Sequence, residues 1–314
     1  MREPDAARHR PSRVLVVMTS VVIPAFNAAD ILQVTVPAVL ALDAVGEIIW
    51  VDDGSTDGTA DVLAALAGGQ AGVRRLTLKS NRGRAAARNA GASIATGEIV
   101  VFLDADVEPP PGHARALAVA ASTPGAVASV ARQRPVVTAP EDPYQDYAAH
   151  HPRGPLPHVR DGDVLDWRYF VTGACALRRS ALLDAGGFPE DVRYGEDVAL
   201  RCRLARSHPL GLRLASGAVL LHGLDDLDGA LAKLAIFGRH LPRIPRCRES
   251  GFHGLQRARP LAPLARAGAP ALRWIAEMAP VGPVRRWAVR CLLAATVLGG
   301  GSFGPAPAGA AGNG

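Results

Sequence analysis

The sequence predicts an α/β fold built on a mostly parallel sheet, and three observations carry that expectation. From Val21 to about Pro124, short apolar runs of strand composition alternate with longer helical patterns. The strand-like runs end in polar clusters: Ala25-Phe26-Asn27, Asp52-Asp53-Gly54-Ser55, Lys79-Ser80-Asn81 and Asp104-Ala105-Asp106. The chain has 314 residues, 48% hydrophobic and 20% charged, which suffices to bury one large core or two small ones.

The elements follow in order. Val21-Val22-Ile23 is a strand, followed by a helix over 28–42. A strand over 47–51 precedes a helix over 59–66, and a strand over 73–78 precedes a helix over 84–96. A strand over 98–103 and a helix over 112–122 close the series. Such alternation indicates βαβ units, whose sheets bind ligands beyond the carboxyl ends of the strands, where the polar clusters fall. Residues 134–163, rich in Pro, His and Asp and lacking periodicity, predict a long functional loop. Regular pattern returns over 167–178, in a helix from Ser180, in a helix over 196–207 and in the apolar run 218–221.

The apolar run 14–23 is followed by Pro24 and Asn27 with no small-residue cleavage site, so it reads as the first strand rather than a signal core. Met18 directly precedes that strand, and residues 1–17 read as a leader. Cys175, Cys202, Cys247 and Cys291 are scattered without CxxC spacing, which predicts four reduced thiols in a cytoplasmic protein and no zinc site. The 33 Arg and 2 Lys are unevenly placed. Residues 238–290 hold eleven Arg against Glu249 and Glu277, a net of +9, which leaves −3 on the rest of a chain whose total is +6.

That basic segment alternates apolar patches with Arg and Trp. Its longest apolar run, 291–298, falls well short of the ~18 residues that span a bilayer. Peripheral membrane contact through residues 246–303 and a packing or partner interface both fit it. Nucleic-acid binding fits poorly, because the charge is confined to the tail and 5% aromatics supply little stacking surface.

Asp104 and Asp106 stand two apart at the end of a strand, so both carboxylates face the same side. Two hard oxygen ligands there suit a Mg²⁺ or Mn²⁺ that also holds phosphate oxygens, although acidic pairs are also common in surface loops. The turn Val51 to Thr59 offers carboxylates to a base or ribose, or forms an ordinary acidic strand–turn–helix junction. Arg84 and Arg88 lie one helical turn apart and share a face that a diphosphate could meet. Glu196-Asp197 opens a helix, as caps do, and also fits a general base. His222 ends an apolar run and is a candidate metal or diphosphate contact.

Together these residues resemble glycosyltransferase family 2 over about Val21 to Leu241. The pieces stand in order: Val22-Ile23-Pro24-Ala25-Phe26-Asn27, the acidic turn at 51–59, N-x-G-x-x-x-A-R-N-x-G at Asn81 to Gly91 and the D-x-D at Asp104 to Asp106. Thr172-Gly173-Ala174, Gly186-Gly187-Phe188 and Glu196-Asp197 follow. The resemblance implies a single glycosyltransferase-A (Rossmann-like) domain with a nucleotide-sugar-binding half over 18–125 and an acceptor-binding half over 126–245. Composition adds a basic amphipathic helical segment over 246–303 and a disordered Gly-, Pro- and Ala-rich tail over 304–314.

The resemblance also implies an inverting transferase that moves one sugar from a nucleotide-diphosphate-sugar to an acceptor hydroxyl with a divalent metal, Mn²⁺ or Mg²⁺. The acceptor would be a glycan, a lipid-linked molecule or a small molecule. By position, Asp197 is the base. Pro24, Ala25, Asn27, Asp52, Asp53, Asn81, Arg84, Arg88, Asp104 and Gly173 bind the donor. Asp106, with Asp104 and His222, meets the metal, and Trp167 and Glu196 face the acceptor. Processive relatives carry Q-x-x-R-W after the catalytic Asp; Leu272-Arg273-Trp274 and Arg285-Arg286-Trp287 lack the Gln, which implies one sugar per encounter. The alternatives are a sugar nucleotidyltransferase, whose usual glycine-rich loop is replaced here by Pro24-Ala25-Phe26-Asn27, and a nucleotide-sugar-binding protein without catalysis.

Overall fold

A computed structural model describes residues 18–150, 159–160, 162–245, 247–248 and 253–299, with backbone alone at His222, His253 and Gln256. The expected leader 1–17, residues 151–158 and the whole expected tail 304–314 lie outside the described residues. Strands β1 (Thr19–Ala25), β2 (Glu47–Asp52), β3 (Val73–Thr77), β4 (Ile99–Leu103), β5 (Ala128–Val136), β6 (Ala174–Arg178) and β7 (Leu212–Gly223) form one sheet in the order β3-β2-β1-β4-β6-β5-β7. β1 pairs in parallel with β2 and β4, β2 with β3, and β5 with β7; β6 runs antiparallel between β4 and β5.

β1, β2 and β4 are buried along their whole length, which is why they read as continuous apolar runs instead of alternating ones. Their side chains alternate between two cores. Val21, Ile23, Trp50, Val101 and Leu103 face Leu32 and Val36 of α1 (Ala29–Leu40), Leu63 of α2 (Thr59–Ala67) and Leu117 of α4 (His113–Ser122), while α3 (Arg84–Ile94) covers the other face. Val22, Ile49, Val51, Val100 and Phe102 face Ala87 of α3, together with Leu182 and Leu204 further along the chain. After β3 the chain crosses back to place β4 on the other side of β1, so the carboxyl ends of β1 and β4 open a crevice where strand order reverses.

The helices beyond are α5 (Pro143–Ala149), α6 (Arg179–Asp184), α7 (Glu196–Ser207), α8 (Leu227–His240), α9 (His253–Arg257), α10 (Ala262–Met278) and α11 (Pro283–Gly299). α10 and α11 fold against one another, and α11 packs on α8 and α5 around Leu231, Leu292, Val289 and Tyr144.

Three expectations need correction. The long loop over 134–163 is shorter than its composition suggested: β5 runs to Val136, and α5 is capped by Asp142, whose side chain accepts from the N–H groups of Tyr144 and Gln145. The run 218–221 is the end of a twelve-residue strand that begins at Leu212. The four cysteines are not all reduced: Cys202 of α7 is bonded to Cys247, while Cys175 and Cys291 are free. The pair is 45 residues apart in sequence, so spacing carried no sign of it; the return of the chain past α8 brings the two together.

Candidate active site

A cleft of about 1140 Å³ opens at the carboxyl ends of β1 and β4. Its first wall is the β1–α1 turn: Pro24, Ala25, Phe26, Asn27 and Ala28. Asn27 adopts the left-handed region (φ 47°), its N–H donates to Ser55 Oγ at 3.0 Å, and its Oδ1 accepts from the Thr56 N–H at 2.9 Å. The first turn is thereby fastened to the second. Asp57 adds to the join, accepting from the Thr59 N–H and hydroxyl and from the Ala29 N–H.

The adjacent carboxylates Asp52 and Asp53 do different things. Asp52 turns back to accept from the Ser55 N–H at 3.0 Å and does not line the cleft. Asp53 lines it, and accepts from the N–H groups of Arg82 at 2.9 Å and Gly83 at 2.7 Å, which fixes the start of α3. Burial pushes the Asp53 pKa up, partly offset by those two donors, with the Asp52 charge adding to the rise. Gly54 is required between the turns. Its φ is +69°, and a side chain there would sit 2.5–2.8 Å from the Ser80 and Asn81 backbone.

Asp104 and Asp106 follow β4 and both line the cleft. Asp104 Oδ1 accepts from Arg88 at 2.7 Å, while Arg88 donates through its other terminal nitrogen to Glu196 Oε1 at 2.8 Å. Arg88 is 1% exposed. Burial alone would disfavour its charge; Asp104 and Glu196 outweigh that and raise its pKa. Arg84, one turn earlier, lines the cleft, 3.8 Å from Glu196 and over the Tyr194 ring. The two arginines therefore share a face as expected, but only Arg84 is free of the interior. Arg88 binds two carboxylates instead of facing a diphosphate.

Asp197 stands in the first turn of α7, after Gly195 at φ +89°. A Cβ at Gly195 would meet Ile244 at 2.6 Å and Phe237 at 2.8 Å, so the helix start is pressed against α8 and the turn that follows it. Asp197 lines the cleft, and its pKa is raised by enclosure first and the Glu196 charge second, against Arg201 and Arg88.

Pro24, Ala25, Asn27, Asp53, Arg84, Asp104, Asp106, Glu196 and Asp197 are thus brought to one cleft. Asn81 stands apart from its lining, within 3.5 Å of an Arg193 nitrogen. Gly173 acts on Asp104: its carbonyl accepts from the Asp104 N–H at 3.3 Å, and a Cβ would meet Asp104 Oδ2 at 2.9 Å. Trp167 is not on an acceptor face. It is 2% exposed, packs against Phe170, and donates from its ring N–H to the His208 carbonyl. His222 pairs with Pro135 in the sheet, and its side chain lies outside the described residues.

The remaining wall was not foreseen. Arg132 and Gln133 of β5, Arg168, Tyr169 and Tyr194 belong to it, as do Asp225, Lys233, Ile236 and Phe237 at and within α8. The amphipathic pattern Leu-Ala-Lys-Leu-Ala-Ile-Phe in α8 was the available sign.

No group of three or more metal-ligating side chains forms among the described residues. Asp104 and Asp106 nonetheless fit a small hard cation that keeps waters and takes phosphate oxygens from a bound donor, since such ions use one or two carboxylates. The space that Gly173 leaves beside Asp104 Oδ2 agrees with that.

The model of the family described as "Glycosyl transferase family 2" matches residues 20–186. The pre-mycofactocin glycosyltransferase of Mycobacterium tuberculosis is 32% identical over 243 residues, 76% of this chain and 48% of the relative. The undecaprenyl-phosphate 4-deoxy-4-formamido-L-arabinose transferase of Sodalis glossinidius is 40% identical over 121 residues, 37% of each chain. The chain therefore spans about half or less of these relatives' length. Among solved structures, the mannosyltransferase PcManGT of Pyrobaculum calidifontis, in complex with GDP-Man and Mn²⁺, has a TM-score of 0.57 at 20% identity, covering 90% of this chain and 87% of that one. TarS 1–349 of S. aureus in complex with UDP-GlcNAc has a TM-score of 0.55 at 13% identity, covering 90% of each. The chain belongs to glycosyltransferase family 2, and its seven-stranded sheet with C-terminal helices is the expected glycosyltransferase-A architecture.

Proposed function

We propose that the chain is a non-processive, inverting glycosyltransferase that moves one sugar from a nucleotide-diphosphate-sugar to an acceptor hydroxyl. The observation that carries this reading is the meeting of Asp197 with the Asp104–Asp106 pair in one cleft, with Arg88 bridging Asp104 to Glu196. Family membership supports it, as do the nucleotide sugars bound by the two fold relatives.

Asp53 and the Asn27 turn face the nucleoside, and Arg84 faces the diphosphate. Asp197, whose raised pKa makes it a stronger base than an ordinary carboxylate, takes the proton of the acceptor hydroxyl. The freed oxygen attacks the anomeric carbon from the side opposite the diphosphate. The carbon–oxygen bond to the diphosphate breaks, its electron pair leaves with the phosphate oxygen, and the anomeric configuration inverts. A Mn²⁺ or Mg²⁺ held by Asp106 and Asp104 would neutralise the leaving charge.

The acceptor enters beside Arg132, Arg168 and the α8 wall. A lipid-linked acceptor is one class to test, since the name of the Sodalis relative contains undecaprenyl-phosphate. Donor division between 18–125 and acceptor division over 126–245 follow from the same reading. So does action at the inner face of the plasma membrane, with the basic segment meeting its surface.

The test is donor binding and turnover across UDP-, GDP- and dTDP-sugars with Mn²⁺, Mg²⁺ or EDTA. Asp106→Asn should lose metal-dependent donor binding. Asp197→Asn should bind donor as the wild type does and lose turnover by about 10²–10⁴-fold. Absence of nucleotide-sugar binding under every metal condition would overturn the reading.

A further inference from the structure

The C-terminal helices carry an apolar ridge that the cleft chemistry does not use. Of the seventeen exposed large apolar side chains among the described residues, seven lie within residues 261–287, on α10, on α11 and in the segments that flank α10. On α10, Leu264, Trp274 and Met278 fall within an arc of about 80° at 100° per residue. Val281 continues the ridge through the turn, and Val284 and Trp287 extend it along α11. These six are 56–72% exposed.

The charge around the ridge has one sign. Glu277 is the only acid in α10 and α11, and Arg273 holds it at 2.7 Å while also binding Asp228. Arg257, Arg259 and Arg290 are exposed at the margins. A second copy docking on the same face would set arginine against arginine. An anionic phospholipid surface complements it, and Trp is the side chain most at home where one end is apolar and the other wet.

We propose that this ridge docks the protein on an anionic bilayer, with Trp274 and Trp287 seated among the headgroups and α10–α11 lying in the interfacial plane. This deepens the segment contact proposed above and stands apart from the transfer chemistry. No helix among the described residues is long and apolar enough to cross a membrane, and α10 and α11, at 17 residues each, are short for it. An amphipathic pair with a basic rim instead binds the surface. α8 joins the two functions: α11 packs on it, while its Gly229, Ala232, Lys233 and Ile236 line the cleft. Docking therefore sets the cleft's orientation relative to the lipid.

The test uses the full chain with phosphatidylcholine vesicles, with and without phosphatidylglycerol, by co-sedimentation and tryptophan emission. Trp50 and Trp167 are buried, so a blue shift on vesicle addition reports Trp274 and Trp287. The expected result is binding to anionic vesicles that falls at least about tenfold on neutral ones. A comparable loss is expected for Trp274→Ser/Trp287→Ser and for Arg257→Gln/Arg259→Gln/Arg290→Gln, each with wild-type circular dichroism. Equal partition of wild type and the Trp variant, or indifference to lipid charge, would overturn the proposal. So would a lipid-free dimer that the Trp variant turns into a monomer, which would give the ridge to a second copy. None of these readouts depends on turnover, so the transfer reading stands or falls separately.

Discussion

At the scale of single residues, the site turns on one buried cation. Arg88 sits between Asp104, on the donor side, and Glu196, next to the proposed base, and is 1% exposed. Lysine could not bridge both, because it lacks the planar fork of donors. Arg88 acts by positioning and by charge: it lowers the Asp197 pKa, whereas Glu196 raises it. Activity that needs Asp197 deprotonated rises with pH through that pKa. Removing the Glu196 charge in Glu196→Gln should move the rising limb of the kcat–pH profile to lower pH. Removing the Arg88 charge in Arg88→Met should move it to higher pH. Arg88→Met also strands two carboxylates, at a cost of about 3–5 kcal/mol, so the Glu196→Gln profile is the one that keeps the idea testable if Arg88→Met fails to fold. A limb in Glu196→Gln that coincides with that of the wild type would sink the coupling.

At the scale of elements, α3 shows what its motif is for. Gly83, at φ +91°, starts the helix and donates to Asp53; Ala87 is fully buried; Arg88 ties the carboxylates. Asn89 reads the Phe188 backbone in both directions, accepting its N–H at 2.8 Å and donating to its carbonyl at 2.8 Å. Gly91 lies so close to the sheet that a Cβ would be 2.4 Å from a Val22 methyl and 3.1 Å from one of Val51. Gly91→Ala should therefore overpack this contact and cost about 1–3 kcal/mol. In a chain of 314 residues that lowers Tm by about 3 °C for a mid-range loss, read by thermal unfolding, and an unchanged Tm would show that the helix can slide.

The same elements explain how far the sequence could be read. β1, β2 and β4 were legible because both faces are buried and the apolar run is unbroken. β5 was missed because its second half, from Arg132, leaves the core for the cleft, and polar side chains replace the pattern there. Trp167 was misplaced because composition cannot say whether an aromatic in an irregular stretch faces a ligand or the core. Asp52 and Asp53 are adjacent carboxylates in one turn, and only the folded turn separates the one that braces it from the one that lines the cleft.

At the scale of the whole molecule, two buried ionisable groups contribute to the response to acid in separate pH windows. His113, at the start of α4, is fully buried, and burial holds its pKa down at about 4 against a smaller opposing effect of the Val219 backbone. The unfolded chain takes up that proton near pH 6.5 and the folded one does not. Stability is therefore whole above pH 6.5 and falls as pH drops towards 4, by about 3 kcal/mol in all. Glu47 acts lower down. Burial opposes its charge, but hydrogen bonds from Ser20, the Thr96 N–H and hydroxyl, and Arg74 outweigh burial and hold its pKa at about 2. Its contribution is present above pH 4.5 and lost as pH falls towards 2. Urea unfolding at pH 7 and pH 5 separates the two, because Glu47 stays ionised throughout that interval in both states to a first approximation. His113→Leu should remove about 2 kcal/mol of the wild type's loss between those pH values, whatever the variant's stability at pH 7. If instead the variant and the wild type lose the same stability, His113 is not what couples α4 and β7 to acid, and the buried ring is protonated in place.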